Sequence, residues 1–394
     1  MDNANKRSLD DDNVCHGNDT KKSKVTNCPL STTSNSKSAK EIVGFENLCD
    51  DVIMHIFKYL SHNNLANMSF VCSTLSRISS DWTLWKKVWF DPFDKSMEDV
   101  YLTYLKDCTT QVCIKGNDIP TYDTSVSHKF LIQLETKCPE LTHLSFSNQK
   151  FDSNEITVKI LHRKLKSLTI EKTVVENITD LTSYLCGLNI TCPDLEEIKM
   201  TFNDWFLPHC LYALAKLEKL THLSLQGCNQ FRDCIPYASI TAITGFKALR
   251  TLDLRLTPIS DHELVCFQRL KNLKHVLLES PDYVNHEGDA TITDIGVSGF
   301  CFSSYDFNYP YIQIMIDRDG EVNLRRVHDR NDLSDKCKIE NLYVRNYPRV
   351  TDSFLKSAAK TCPFIKCLDV TGTSCTLDEI ERYKAKRPNT KIVC

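Results

Sequence analysis

Cysteine, histidine and the carboxylic acids are the residues from which this 394-residue chain could build chemistry, and their spacing decides whether it does. Nineteen cysteines is an odd and high count, yet no Cys-x-x-Cys pair occurs, which is the spacing a zinc ribbon or finger needs. Cysteine and histidine adjoin at His209-Cys210, where a small buried thiol is a better explanation than a nucleophile beside its base. Phosphate-cradling Gly-x-x-x-x-Gly-Lys and Gly-x-Gly-x-x-Gly loops are missing, as are a Gly-x-Ser-x-Gly elbow and a His-Glu-x-x-His helix. The expectation is therefore no catalytic residue, no metal and no cofactor. A basic run at Arg318, Arg325, Arg326, His328 and Arg330 alternates with Asp317, Asp319, Glu321, Asp329 and Asp332. Alternating signs read as a solvated loop, with capture of phosphate or an acidic peptide as the alternative.

Bulk properties narrow the classes further. A net charge of -3 gives no field for nucleic acid, and no run of eighteen apolar residues offers a membrane span. The N-terminus lacks the apolar run of a signal peptide, and Lys391 stands where a prenylation box would need cysteine. A location in the cytoplasm, the nucleus or both is expected, where the cysteines stay reduced.

Residues 1–40 are rich in Ser, Thr, Asn, Asp and Lys and too poor in apolar side chains to offset the entropy of ordering, so they read as a disordered tail. Within it Lys6 and Arg7 are separated from Lys21, Lys22 and Lys24 by thirteen residues, a spacing suited to a two-part nuclear import signal. Over 41–90 three short amphipathic helices are expected. Ile53, Ile56, Phe57 and Leu60 form one stripe after the caps Asp50 and Asp51; Asn63 and Asn64 cap a helix bearing Leu65, Met68, Val71, Cys72, Leu75 and Ile78; Asp81 opens a third with Trp82, Trp85 and Trp89. So small a bundle favours leaving apolar surface for a partner.

Residues 91–137 read as a linker helix with a capping repeat, and 138–394 as a repeat array with a C-terminal cap. The strand pattern Leu-x-x-Leu-x-Leu recurs at Leu141, Leu165, Leu195, Leu220, Leu249, Leu273, Tyr311, Ile339 and Ile365, with a half-match at Val112 and Ile114. Nine or ten units follow, spaced mostly 24 to 30 residues apart, with one gap of 38 after Leu273 that implies an insertion. That segment is dense in aromatics: Tyr283, Phe300, Phe302, Tyr305, Phe307, Tyr309 and Tyr311. Cys-Pro at 138, 192 and 362 stops a helix before a strand, and Thr173, Asn203, Cys228, Thr257 and Thr373 are placed to bond bare turn backbone. Such units stack into an α/β solenoid with a curved parallel sheet, outer helices and a sheet length of about 45 to 50 Å.

Residues alternating with the core leucines face outward on the concave side, and they form a mixed-charge strip: His143, Ser145, Glu197, Lys199, His222, Ser224, Gln226, Asp253, Arg255, Glu279, Tyr343, Arg345 and Asp369. Lys199, Arg255, Tyr343 and Arg345 are the candidates for holding a protein partner.

The run Leu48-Cys-Asp-Asp-Val-Ile-Met-His-Ile-Phe-Lys-Tyr-Leu60, followed by Leu65, Val71-Cys72 and Leu84-Trp85, resembles the F-box, and with the repeats the chain resembles the F-box/leucine-rich-repeat family. Cys49 stands where that family usually has proline, and Leu75 where tryptophan is common. The resemblance implies a short three-helix F-box before a leucine-rich-repeat solenoid. It also implies a substrate receptor of an SCF-type ubiquitin ligase that marks proteins for proteasomal degradation. The F-box would bind a Skp-type adaptor and, through it, cullin and RING subunits. Adaptor contact or its support falls by position to Leu48, Ile53, Ile56, Phe57, Leu60, Leu65, Val71, Cys72 and Trp85. A repeat scaffold or nuclear regulator acting outside a ligase is the alternative.

Overall fold

In a computed structural model the described residues are 48–178, 183–281, 292–300 and 338–394, with the backbone of two strands at 311–316 and 322–327. The described residues from Cys49 on form one compact unit. The import cluster at Lys6, Arg7, Lys21, Lys22 and Lys24 lies outside the described residues. So do Tyr283, Phe302, Tyr305, Phe307, Tyr309, Arg318, His328 and Arg330.

The N-terminal helices are shorter and more numerous than their periodicity suggests. Helix α1 (Asp50–Phe57) is capped by extended Cys49, while Asp50 and Asp51 sit in the first turn, where carboxylates complement the exposed amide dipoles. Cys49 has φ -70°, the angle proline would impose, so cysteine serves the turn there. The expected long second helix breaks into α2 (His62–Met68) and α3 (Ser73–Ser79), and the cap of α2 is Ser61 rather than Asn63 or Asn64. The break lets α3 fold back beside both α1 and α2, burying Leu75 and Ile78 in the bundle and leaving Val71 and Cys72 in solvent. The expected third helix is a single tight turn, Trp82–Trp85, capped by Asp81, and then the chain extends as β1 (Lys87–Phe90). Val88 and Phe90 alternate inward there and Trp89 outward, a period of two that outcompetes the helical reading once a neighbouring strand is available.

Strand β1 starts the main sheet. It pairs in parallel with β2 (Gln111–Lys115), which follows α4 (Glu98–Tyr104) and converts the half-match at Val112 and Ile114 into a full strand. The sheet continues through β3 (His143–Ser147) after α5 (His128–Lys137), and β5 (Ser167–Glu171) after the short β4 (Lys150–Asp152). Next comes β7 (Glu197–Thr201), after β6 (Val174–Glu176) and α6 (Leu188–Thr191); β4 and β6 pair separately on one side. Then α7 (Leu211–Leu214) precedes β8 (His222–Ser224), α8 (Ile235–Thr244) precedes β9 (Thr251–Asp253), and α9 (Asp261–Phe267) precedes β10 (His275–Glu279). Helix α10 (Asp294–Ser298) and the antiparallel pair β11 (Tyr311–Ile316) and β12 (Val322–Val327) come before β13 (Asn341–Arg345). The array ends with α11 (Asp352–Thr361), β14 (Cys367–Asp369), α12 (Leu377–Lys386) and β15 (Lys391–Val393). Eleven parallel strands result among the described residues.

Strand β10 pairs directly with β13, His275 opposite Asn341. The weak repeat at Tyr311 is therefore not a unit of the array: its strand pairs with β12 in a hairpin, and the insertion is longer than the 38-residue gap suggested. Alternation of apolar residues suits a hairpin as well as a repeat strand, which is why spacing alone misassigned it.

Register places one core leucine, isoleucine or valine per unit in line: Val88, Val112, Leu144, Leu168, Ile198, Leu223, Leu252, Val276, Leu342 and Leu368 are all buried. Each stacks on its neighbours along the solenoid, so no unit has a complete core alone. Asn203, Cys228, Thr257 and Thr373 bond backbone carbonyls as expected, whereas the Thr173 hydroxyl bonds the Asn203 side chain instead. Asn203 accepts from the Thr173 amide and hydroxyl and donates to the Ile170 carbonyl, and Thr373 donates to the Val370 carbonyl at 2.7 Å. Cys138, Cys192 and Cys362 end α5, α6 and α11 in buried positions, and burial pushes the Cys138 and Cys192 thiols up to about 12. Cys210 is buried too, its thiol likewise raised by desolvation, as a packing residue would be.

Candidate interaction surfaces

Two surfaces are open to partners. The first is the helical end. Ile53, Phe57, Leu65 and Trp85 are buried in its core, Leu48, Ile56 and Leu60 are half-buried, and Val71 and Cys72 are exposed. Around them stand Tyr59 at 79% exposure, Phe70 at 67% and Val71 at 64%, with Val52 and Trp82 also in solvent. Residues of these types held at such exposure on so small a bundle form a surface whose covering would be favourable.

The bundle is fastened to the sheet by a buried polar joint. Trp85 stacks on Tyr104 with ring centres 4.6 Å apart and donates its indole N–H to the Ser79 carbonyl at 2.6 Å. His62 Nδ1 accepts the amide hydrogen of Trp89 at 3.2 Å, so Nε2 carries the ring proton and donates it to the Leu84 carbonyl at 3.0 Å. Burial lowers the His62 pKa, against the opposing pull of the Leu84, Trp89 and Lys87 backbone. Asn63 adds a bond to the Pro92 carbonyl at 2.6 Å. The helices thereby cover the outer edge of β1, the position where an open sheet would otherwise invite strand pairing.

The second surface is the concave face of the sheet. Four predicted residues lie on it, and three are cations already engaged: Lys199 with Glu197 at 2.7 Å, Arg255 with Asp253 at 2.7 Å, and Arg345 with Asp369 at 2.6 Å. Arg345 also lies over the Tyr343 ring, 5.8 Å from its centre. Asp253 and Asp369 do not belong to a solvated strip, because both are buried, Asp369 to 1% exposure. Burial would raise the Asp369 carboxyl, but the Thr371 hydroxyl and amide together with Arg345 outweigh it and hold the group below its ordinary value. On Arg255 the bonds to Asp253 raise the pKa, against desolvation. Ser224 and Gln226 complete this network by donating to Asp253 and accepting from Arg255. These three cations are thus fixed by their neighbours rather than free charges.

Residues 45–87 match the F-box domain family. The chain carries an F-box. Behind that F-box the strands and helices of 87–393 make a leucine-rich-repeat solenoid, and solved structures of similar form include the mouse RP105/MD-1 complex, at 15% identity and TM-score 0.42. That match covers 78% of this chain, which spans 40% of the length of the other. The yeast Rad7 and Elc1 complex matches at 16% identity and TM-score 0.43, covering 87% of each chain. An internalin from Listeria monocytogenes matches at 14% identity and TM-score 0.39, covering 84% of this chain and 93% of its own. A search of curated proteins gave no match.

Within the F-box, sequence reasoning selected the helical stripes, on one of which it placed the exposed Trp82, and missed Tyr59 and Phe70. Their signal was present: each is a large apolar residue lying off the stripes that pack the bundle. On the concave face it missed Leu277, which is half-buried opposite Tyr343 in the β10–β13 register.

Proposed function

We propose that this protein is the substrate-recognition subunit of an SCF-type ubiquitin ligase, its F-box binding a Skp-type adaptor and its repeats holding the protein to be modified. The observation that carries this reading is the exposure of the large apolar residues Tyr59, Phe70 and Val71 on an F-box fastened without a flexible linker to an open sheet. On this reading the chain supplies no reacting group. The conjugating enzyme's thioester is attacked by a substrate lysine, and the receptor raises the effective concentration of that lysine. Fixed mounting of the F-box suits the task, because it limits the orientations in which a bound protein meets the enzyme.

Co-purification with the Skp adaptor and cullin tests it, comparing wild type with a Phe70→Asp/Val71→Asp double variant. These side chains are exposed, so the variant should keep the wild-type melting temperature while losing the adaptor by at least about tenfold in affinity. Equal recovery with both proteins, or no adaptor with wild type, would overturn the reading.

A further inference from the structure

From Glu171 on β5 to Asp369 on β14 the concave face carries five carboxylates, Glu171, Glu197, Asp253, Glu279 and Asp369, against three cations, Lys199, Arg255 and Arg345. Three carboxylates are taken by the three cations. Glu171 and Glu279 have no ion pair among the described residues.

Glu279 is the more unusual of the two. In register it lies directly opposite Arg345, and Arg255 follows Asp253 on the strand to its other side. Two guanidinium groups would ordinarily close on it. Both are instead hydrogen-bonded to the buried Asp253 and Asp369, which leaves the carboxylate between them half-buried, near enough to Arg255 to feel its charge but hydrogen-bonded only at long range, by Asn346 at 3.4 Å, among the described residues. Beside it Leu277 and Tyr343 face each other across β10 and β13, both half-buried, and supply an apolar wall. A carboxylate next to an aliphatic and an aromatic surface fits a long side chain with a hydrocarbon stem and a cationic head.

We propose that Glu279 anchors a lysine or arginine side chain in an extended segment of the bound protein, an inference that rests on the receptor reading for the identity of that protein as a substrate. Charge complementarity decides the sign. On the face between β5 and β14 the two carboxylates without an ion pair among the described residues are Glu171 and Glu279, whereas an acidic or phosphorylated segment would meet Arg255 and Arg345 with their charge already balanced by Asp253 and Asp369. Glu171 lies opposite Ser147 and Thr201 in the register, where its neighbours are hydroxyl residues, and serves as the control.

Selection from a random twelve-residue peptide display library on the immobilised full-length chain tests the site. Wild type should enrich Lys or Arg at one position next to a large apolar residue. Glu279→Gln should lose that preference, and Glu279→Lys should replace it with Asp or Glu. A selected peptide, measured by fluorescence anisotropy, should bind Glu279→Gln about tenfold or more weakly and Glu171→Gln within about twofold of wild type. No basic preference in wild type, or an unchanged one in Glu279→Gln of wild-type melting temperature, overturns the assignment. Adaptor binding is measured on the same preparations. Retained adaptor without a basic preference defeats this inference alone, whereas a Glu279-dependent basic preference without adaptor binding supports the site and defeats the ligase reading.

Discussion

His62 is almost wholly buried, and both of its ring nitrogens are committed, one as acceptor from Trp89 and one as donor to Leu84. A second ring proton would cost the Trp89 bond and place a charge in an aromatic cluster formed with Trp85, Trp89 and Phe90. Its folded pKa is therefore lowered from 6.5, chiefly by burial. Below that ordinary value the unfolded chain binds the proton more readily than the folded one, so the stabilisation from neutral His62 is complete above about pH 6.5 and is lost as pH falls toward the folded value. Urea melts at pH 8 and pH 5.5 should show a larger acid loss for wild type than for His62→Gln. Equal losses would show that His62 does not titrate with unfolding. Residue types alone did not reveal this role, because a histidine at a helix start reads as solvated until the strand it meets is known.

At the scale of elements, the helices of successive repeats are tied by a ladder that reuses one pair of residues. Asp261 accepts from the amide and hydroxyl of Thr293, Asp294 from those of Thr351, and Asp352 from those of Thr376. Each threonine in turn caps its own helix, so the roles divide: Thr caps, and Asp reaches the next unit. Helix α10 approaches so closely that a Cβ on Gly296 would lie 2.2 Å from the Asp261 carboxylate. The Asp294–Thr351 rung spans the insertion, joining units 57 residues apart. Asp294→Ala should cost about 1–3 kcal/mol in a urea melt, because it strips the acceptor from a part-buried amide and hydroxyl. The same variant should speed hydrogen exchange in α11 more than in α5. Uniform exchange, or no loss of stability, would show that the rung is not what holds the array together across the insertion. The destination of each aspartate was not legible in the sequence, since it lies in another repeat.

On the scale of the whole molecule, the F-box has a structural part besides the adaptor binding proposed for it. It closes one end of the solenoid by capping the edge of β1 and burying Trp85 against Tyr104. A fragment beginning at Lys87 would expose that edge and the apolar face beneath it. Against the full chain it should melt at least about 5 °C lower and associate through β1, visible as larger species in size-exclusion chromatography. A monomeric fragment with the full chain's melting temperature would show that the repeats are complete without the helices. The same capping makes the distance from the exposed apolar residues of the F-box to the concave face a fixed property of the fold.

Sequence alone determined the solenoid and the F-box, because both are written in short-range patterns: leucines every two or three residues within a strand, turn residues at constant offset, and an apolar stripe at helical spacing. It also placed Lys199, Arg255, Tyr343 and Arg345 on the concave side, since alternation in a strand fixes which way a side chain points. Tertiary structure decided the rest. The Tyr311 strand pairs with β12 rather than with β10, because register is chosen by competing partners that lie far apart in the chain. Arg255 and Arg345 turn toward buried aspartates and leave Glu279 open, and that choice depends on burial and on cross-strand distances of a few ångströms, which no spacing along one chain records.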